Sequence, residues 1–261
     1  MQENNLNLYY NAIYGTTVGV KRIGMPMIRG TNHLVFIVET VDGAKSVFRF
    51  CPQVVAHRNQ EISRVLTANN ISVPRVKVCD SNGCWFEKYE FIPGSTLQER
   101  LIPGVSKREL LPIYESMASH IKKMAEIPVC KFNDVTNKYC SDVAQSNIIK
   151  KTGSRPLGAL VKYGTMLLNS GSQHICHCDF GPHNIVMNDN NQVSAVLDLD
   201  AFSIANINFS IAIAGLTLQR NQLDISDFYD VCRDFMPRMV CHSRIRFAEK
   251  ICKTYFGAYT K

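Results

Sequence analysis

The segment that decides the fold reads His177-Cys-Asp-Phe-Gly-Pro-His-Asn184, and it is followed by Asp198-Leu-Asp200. A Gly-Pro turn separates Asp179 from Asn184, which allows the chain to fold back on itself. A polar turn between two short predicted strands comes next, and this hairpin returns Asp198 to the neighbourhood of Asn184. The sequence therefore predicts that two carboxylates and one amide oxygen converge on a single point.

Oxygen ligands such as those of Asn184 and Asp198 suit Mg²⁺, which usually keeps several waters and shares the phosphates of a substrate. The remaining carboxylate, Asp179, is placed to accept a proton from a hydroxyl nucleophile. A metal site beside a base is the set of groups that phosphoryl transfer needs, because positioning and charge neutralisation supply most of its catalysis. The alternative for Asp179 and Asn184 is an ordinary turn capped by its own side chains.

Composition restricts the class of protein. The chain has 261 residues, of which 46% are hydrophobic and 20% charged, so a mostly disordered or fibrous protein is excluded. No apolar stretch approaches about 18 residues, so we expect no membrane span, and the N-terminus lacks a signal-peptide pattern, so we expect a cytoplasmic location. We interpret the evenly spread formal charge of +7 as a solubility charge, with a polyanion-binding surface as the alternative.

The ten cysteines form no CxxC pair, which indicates reduced thiols rather than a disulfide framework. Four residues of the two common metal-binding types nevertheless lie close together in sequence, at His174, Cys176, Cys178 and His183. Their spacing lacks the paired pattern of a zinc site, so buried thiols are the favoured interpretation.

The pattern of the chain changes near Pro93-Gly94. Before it, alternating apolar residues predict strands and one helix; after it, longer helical patterns dominate. We expect strands at 18–24, 33–40, 45–50, 75–80 and 84–91, a helix at 54–69, and later helices at 113–126, 157–169, 205–219, 225–236 and 242–256. Ser106 and Glu109 have the spacing of a capping box. The predicted class is α+β, with a small β-rich N-terminal domain at 1–91 and a larger, mainly helical domain at 92–261.

The pattern His177-x-Asp179-x-x-x-x-Asn184, followed by Asp198, resembles the catalytic loop and metal-binding aspartate of the protein-kinase-like superfamily. Gly at position 181, Asp-Leu-Asp at 198–200 and the lack of an Ala-Pro-Glu motif resemble the aminoglycoside phosphotransferase and choline kinase group more than protein kinases. The resemblance implies a two-lobed protein-kinase-like fold with the nucleotide between the lobes. It also implies an ATP-dependent phosphotransferase, with GTP left open, that uses Mg²⁺ and a small-molecule hydroxyl acceptor.

The resemblance also implies site residues. Asp179 would be the catalytic base, Asn184 and Asp198 the metal ligands, and His177 a structural residue of the loop. Asp200 would bind a second metal or cap the next helix. The nucleotide would be bound by a phosphate-covering loop, by a third-strand cation held by a helix glutamate, and by backbone groups of the linker; these are Gly30, Thr31, Asn32, Arg49, Glu61, Glu90 and Ile92.

The sequence departs from the family at two positions. The third-strand cation is Arg49 rather than Lys, which keeps its charge but has a different reach. The segment from Asn206 to Ala212 has no carboxylate, although family members usually carry there an Asp that supports the catalytic loop. A catalytically impaired relative that binds nucleotide or another ligand is therefore the alternative function.

The acceptor is the least determined part of the prediction, since the family phosphorylates antibiotics, amino alcohols and sugars. Asp227, Asp230 and Asp234 lie along one side of a predicted helix and form either an amine-binding wall or a solvated acidic face. A nucleic-acid-binding protein is the least favoured hypothesis, because no helix carries clustered base-contacting residues. We expect neither a nucleic-acid nor a membrane partner, and the sequence gives no oligomeric state.

Overall fold

The computed structural model describes residues 4–24, 33–81, 83–101, 106–132 and 171–257, together with positions 159, 162 and 166. The chain divides into two compact units, Met1–Pro93 and Gly94–Lys261. The first unit is built on one β-sheet and the second is mainly helical, which is the α+β architecture that the sequence predicts.

The first unit contains a five-stranded antiparallel sheet. In the order β1-β2-β3-β5-β4 its strands are Val20–Gly24, Leu34–Thr40, Lys45–Phe50, Cys84–Glu90 and Lys77–Ser81. Along β2 the buried residues alternate with less buried ones, as the two-residue repeat of a strand requires. A turn with Gly43 at φ 84° joins β2 to β3, and this is a conformation that glycine adopts without strain. The five predicted strands are therefore confirmed.

Two helices accompany this sheet. α2, at Gln53–Ala68, corresponds to the helix predicted from its apolar positions. α1, at Asn4–Thr16, was not predicted. Its core-facing residues have helical spacing, but asparagines and tyrosines lie between them and weaken the pattern; they are Leu6, Tyr9, Ala12 and Ile13.

The second unit contains five helices and five short strands. After α3 at Leu97–Arg100 come α4 at Lys107–Ala125, α5 at Ile207–Arg220, α6 at Ser226–Phe235 and α7 at His242–Gly257. β6 (Ser95–Thr96), β8 (Ile185–Met187) and β9 (Val193–Val196) form one small sheet, and β7 (His174–His177) pairs with β10 (Phe202–Ala205). Short 3-10 helices occupy Val129–Phe132, Pro182–Asn184 and Leu199–Ala201. These counts refer to the described segments, and most of the helix predicted at 157–169 lies outside them.

Local signals explain where α4 begins. Ser106 and Glu109 form the predicted capping box, in which each side chain bonds to the other residue's backbone N–H. The helix therefore starts at Lys107, earlier than the predicted 113, and it contains Pro112 near its beginning.

The paired strands β7 and β10 were not predicted. All four residues of β10 are buried, as are three of the four in β7, so neither strand shows the alternation that identifies a half-exposed strand.

Across the segments that the structure describes, no helix is both long enough and apolar enough to span a bilayer.

Candidate functional site

Asp179 and Asn184 meet in the loop between β7 and β8. The Asn184 amide nitrogen donates to the Asp179 backbone carbonyl at 3.0 Å and to Asp179 Oδ2 at 3.1 Å. The Asn184 side chain is buried, whereas 38% of the Asp179 side chain is exposed. A single amide thus fixes both the backbone and the carboxylate of Asp179, and this carboxylate stays partly exposed to solvent.

Asp198 is brought to the same loop by the β8–β9 hairpin. Ile185 lies opposite Val196 in this hairpin, and the N–H of Leu197 donates to the Asn184 carbonyl at 2.8 Å. The exposed Asp198 follows immediately, in the left-handed region at φ 55° and ψ 71°. Few residue types other than glycine adopt that conformation without cost, and such strain is concentrated at functional sites.

The His177 side chain bridges the loop that carries Asp179 and the end of the β8–β9 hairpin that precedes Asp198. Its ring is fully buried, and Nε2 lies 2.8 Å from the carbonyl oxygen of Leu197. The N–H of Asp179 donates to Nδ1 at 3.2 Å, which leaves the proton on Nε2. Burial lowers the pKa of His177, so the ring is neutral. The two ring nitrogens therefore anchor the Leu197 carbonyl, just before Asp198, and the backbone N–H of Asp179.

The loop receives further support from α5, at the place where the family usually has an aspartate. Ser210 is fully buried, and its hydroxyl donates to the carbonyl of His177 at 2.9 Å. The backbone of His177 is also fixed by its register with Phe202 in the β7–β10 pair. Sequence reasoning identified the missing carboxylate but not this hydroxyl.

His183 is a site residue that sequence reasoning missed in this role. Its Nε2 lies 3.1 Å from Asp179 Oδ2, and this hydrogen bond raises the pKa of His183 although burial opposes it. Gly181 makes room for the ring, since a Cβ at that position would lie 2.8 Å from His183 Cε1 and 3.1 Å from Thr217 Oγ1. The signal in the sequence is a glycine and a histidine within the loop that carries Asp179.

The pKa of His183 responds to two carboxylates of this segment. Both Asp179 and Asp198 contribute charge that raises the pKa of His183.

The zinc alternative is not supported by the structure. In the described parts of the chain, no three His, Cys, Asp or Glu side chains are grouped as metal ligands. Cys176 instead donates to the Ala205 carbonyl, and His174 Nδ1 lies 3.1 Å from the Ala125 carbonyl oxygen.

The oxygen donors of Asn184 and Asp198 suit Mg²⁺ better than zinc. Asn184 uses its amide nitrogen on Asp179, so its amide oxygen is the atom left for a metal, and Asp198 adds an exposed carboxylate. Two hard oxygen donors are enough for an ion that completes its shell with water and phosphate.

Asp200 lies half-buried in the 3-10 helix Leu199–Ala201. It does not cap α5, because the Asn206 side chain accepts a hydrogen bond from the N–H of Asn208 at the start of that helix. The capping interpretation of Asp200 is therefore wrong for α5.

The first unit places Arg49 on β3, directly opposite Glu87 on β5. Arg49 Nη1 lies 3.1 Å from each carboxylate oxygen of Glu87. Asn59, from α2, donates its amide N–H to Glu87 Oε1 at 2.7 Å. Glu87 is thus a buried carboxylate that holds the third-strand cation, and sequence reasoning missed it because the pairing depends on strand register.

The predicted pairing of Arg49 with Glu61 is wrong. Glu61 instead accepts a hydrogen bond from Arg64 Nε at 2.9 Å on the surface of α2, which lowers the pKa of Glu61. The helix repeat rotates Glu61 by about 200° from Asn59. Since Asn59 faces the sheet, Glu61 faces away from it.

The remaining predicted nucleotide residues are placed only in part. Glu90 is the exposed last residue of β5, in register with Ser46, and Ile92 follows it outside the strand. The predicted phosphate-covering loop, which comprises Gly30, Thr31 and Asn32, lies outside the described residues.

The acidic side of α6 is matched by basic residues of the same unit. Lys107 contacts Asp227 at 2.7 Å, while Arg233 contacts Asp230 at 3.2 Å and Asp234 at 3.4 Å. These pairs favour the solvated acidic face over the amine-binding wall.

Comparison with solved structures agrees with this architecture. Aminoglycoside phosphotransferase APH(3'')-Id from Streptomyces rimosus, in complex with ADP and streptomycin, matches with a TM-score of 0.70 and 15% identity, covering 96% of this chain and 98% of that one. APH(2")-IIIa, in complex with GDP and kanamycin, matches with a TM-score of 0.70 and 14% identity over 95% of this chain and 90% of that one. Amicoumacin kinase hAmiN, in complex with AMP-PNP, Ca²⁺ and Ami, matches with a TM-score of 0.68 and 10% identity, covering 99% of this chain and 86% of that one. At these identities the likeness shows the fold.

The sequence itself identifies the family. No curated protein matches the chain, but the profile described as the phosphotransferase enzyme family matches residues 26–226. This range covers most of the chain and includes the loop from His177 to Asn184, the hairpin and Asp198. The chain therefore belongs to the phosphotransferase enzyme family.

Proposed function

We propose that this protein transfers the γ-phosphoryl group of ATP to a hydroxyl group of a small molecule, with GTP as the alternative phosphoryl donor. The observation that carries the proposal is the Asn184 amide, which binds Asp179 at 3.1 Å while its oxygen is left for a metal. This arrangement gives one loop both a base and a metal ligand, as phosphoryl transfer requires.

Asp179 would act as the base. Its carboxylate is half-exposed, so an acceptor hydroxyl can approach it. Asn184 and His183 both contact Oδ2, which fixes the orientation of the carboxylate and leaves Oδ1 for the incoming hydroxyl. A base held in this way raises the rate because the reacting groups need less reorganisation.

Asn184 and Asp198 would hold Mg²⁺, and Asp200 is the candidate for a second metal ligand. When bound, the ion neutralises negative charge on the transferred phosphoryl group. The buried His177 ring and the Ser210 hydroxyl keep the backbone on both sides of these ligands in place.

Arg49 would contact the nucleotide phosphates, and the segment Gly30–Asn32 would cover them. The backbone near Glu90 and Ile92 would hydrogen-bond the base. Support comes from family membership and from the ADP, GDP and AMP-PNP complexes of proteins with this fold.

The acceptor would be a small hydroxylated compound, and the reaction would take place in the cytoplasm. Streptomycin and kanamycin are bound by two proteins of this fold. Because the carboxylates of α6 are paired with Lys107 and Arg233, we do not assign recognition of a polycationic acceptor to that helix.

The test is acceptor-stimulated ADP release in the presence of Mg²⁺, screened over hydroxylated antibiotics, amino alcohols and sugars. We expect at least one acceptor to stimulate wild-type turnover and Asp179→Asn to abolish most of it while nucleotide affinity is retained. Full turnover by Asp179→Asn would refute the base assignment. Nucleotide binding by the wild type without transfer to any acceptor would favour the catalytically impaired alternative.

A further inference from the structure

The contact between Arg49 and Glu87 is unusual for its burial. The side chains are 11% and 2% exposed, and a buried carboxylate is strongly destabilising unless it is paired and hydrogen-bonded. Glu87 meets this requirement with donors from three residues: Arg49 Nη1, Asn59 Nδ2 at 2.7 Å and Cys51 Sγ at 3.5 Å. So many donors leave the carboxylate little freedom to reorient.

The origin of these donors matters. Arg49 and Glu87 lie opposite each other on β3 and β5, so their relative position is fixed by the backbone hydrogen bonds of the sheet. From α2, Asn59 donates to the Glu87 carboxylate, and this residue is a neutral amide that is fully buried. The α2 carboxylate, Glu61, is on the other side of the helix and is paired with Arg64.

We infer that Glu87, fixed by Asn59, is the positioning residue for the Arg49 guanidinium, and that α2 is connected to the nucleotide site through this neutral hydrogen bond. The inference rests on the proposed function, in which Arg49 contacts nucleotide phosphates. It predicts that the direction of the guanidinium depends on the sheet and not on an ion pair from the helix.

Glu87 and Glu61 should respond differently to the same substitution. In Glu87→Gln, the new amide N–H₂ faces donors from Arg49 and Asn59, so one contact is lost and the guanidinium moves. In Glu61→Gln, the same chemical change takes place on the helix surface. The two variants are therefore matched in chemistry and differ in position.

The primary measurement is the dissociation constant for ATP or ADP by calorimetry, with the thermal midpoint of the nucleotide-free protein as a second readout. We expect Glu87→Gln to weaken binding about tenfold or more, which corresponds to about 1.4 kcal/mol, and Glu61→Gln to change it less than twofold. Asn59→Ala should weaken binding by a smaller factor, and adding it to Glu87→Gln should cause little further loss, because the two residues act through one contact.

A second variant, with a shorter carboxylate, is needed in case Glu87→Gln does not fold. Glu87→Asp keeps the charge and withdraws it by one methylene, so it should fold and should raise the KM for nucleotide more than it lowers kcat. Equal or tighter nucleotide binding by both Glu87 variants would overturn the inference, as would an equal loss in Glu61→Gln. Absence of nucleotide binding by the wild type would instead overturn the proposed function, and the inference with it.

Discussion

The hydroxyl of Ser210 on α5 donates a hydrogen bond of 2.9 Å to the backbone carbonyl of His177, two residues before Asp179. Both residues are fully buried. The family usually places a carboxylate in this helix segment, and a carboxylate can only accept hydrogen bonds at neutral pH. Ser210 acts on the loop as a donor instead, so the missing aspartate does not leave the loop that carries Asp179 without support from α5.

Replacing Ser210 by alanine tests this support. The substitution leaves a buried carbonyl without its partner, which costs about 1–3 kcal/mol. We expect Ser210→Ala to lower the free energy of unfolding by that amount and to lower kcat because the backbone before Asp179 is released. Urea unfolding and steady-state kinetics measure the two effects.

Ser194 offers a matched control for this experiment. Its hydroxyl also donates to a backbone carbonyl, that of Val186 at 3.1 Å in the β8–β9 hairpin. Ser194→Ala should lower stability slightly and leave kcat unchanged. If kcat falls equally in both variants, or in neither, Ser210 has no specific role in holding the loop.

Two substitutions of Asp198 separate the effect of its backbone conformation on stability from the effect of its carboxylate on metal binding. Its left-handed backbone at φ 55° is tolerated by asparagine but costs alanine about 1–2 kcal/mol. We expect Asp198→Asn to unfold at nearly the wild-type urea concentration and Asp198→Ala at a lower one. Both variants should lose the Mg²⁺-dependent part of nucleotide binding measured by calorimetry. Wild-type Mg²⁺ dependence in Asp198→Asn would show that this carboxylate is not a metal ligand.

The sequence predicts those parts of the molecule that depend on local patterns. The alternation in β2 and the Ser106–Glu109 capping box identify their elements, because the strand repeat and the helix start are each determined by a few neighbouring residues. The hydrogen bond between Asp179 and Asn184 is equally local, since the two residues are five positions apart in the chain. These features need no knowledge of the tertiary fold.

Contacts between distant segments are where sequence reasoning fails. Glu87 is 38 residues from Arg49, and only the register of β3 with β5 makes it the partner in place of Glu61. The Ser210 hydroxyl reaches His177 across 33 residues. No periodicity in the sequence encodes such pairs, since they result from packing of complete elements.

The fit of Gly181 against His183 gives a further prediction. A Cβ at 181 would lie 2.8 Å from the imidazole ring, so Gly181→Ala should displace His183 from Asp179 and lower kcat several-fold. In a His183→Ala background the ring is absent, and the same substitution should cost much less. The four proteins form a double-mutant cycle in kcat. Additive effects would show that Gly181 does not act through His183.

Two histidines should give the stability of the protein opposite dependences on pH. Burial lowers the pKa of His120 below its usual 6.5, and the carboxylate of Asp179 raises the pKa of His183 above it. The folded state binds fewer protons at His120 than the unfolded state does, so the stability that His120 contributes is present above pH 6.5 and is lost as the pH falls. For His183 the contribution is present below pH 6.5 and is lost as the pH rises through the folded pKa.

Urea unfolding of the wild type, His120→Gln and His183→Gln between about pH 8 and about pH 5.5 isolates the two contributions. As the pH falls, the wild type should lose stability relative to His120→Gln and gain stability relative to His183→Gln. The glutamines keep an N–H donor, for the Ser116 carbonyl and the Asp179 carboxylate respectively, but cannot take up a proton. Differences between variant and wild type that do not change with pH would contradict both assignments, because a pKa that is equal in the folded and unfolded states gives no pH-dependent stability.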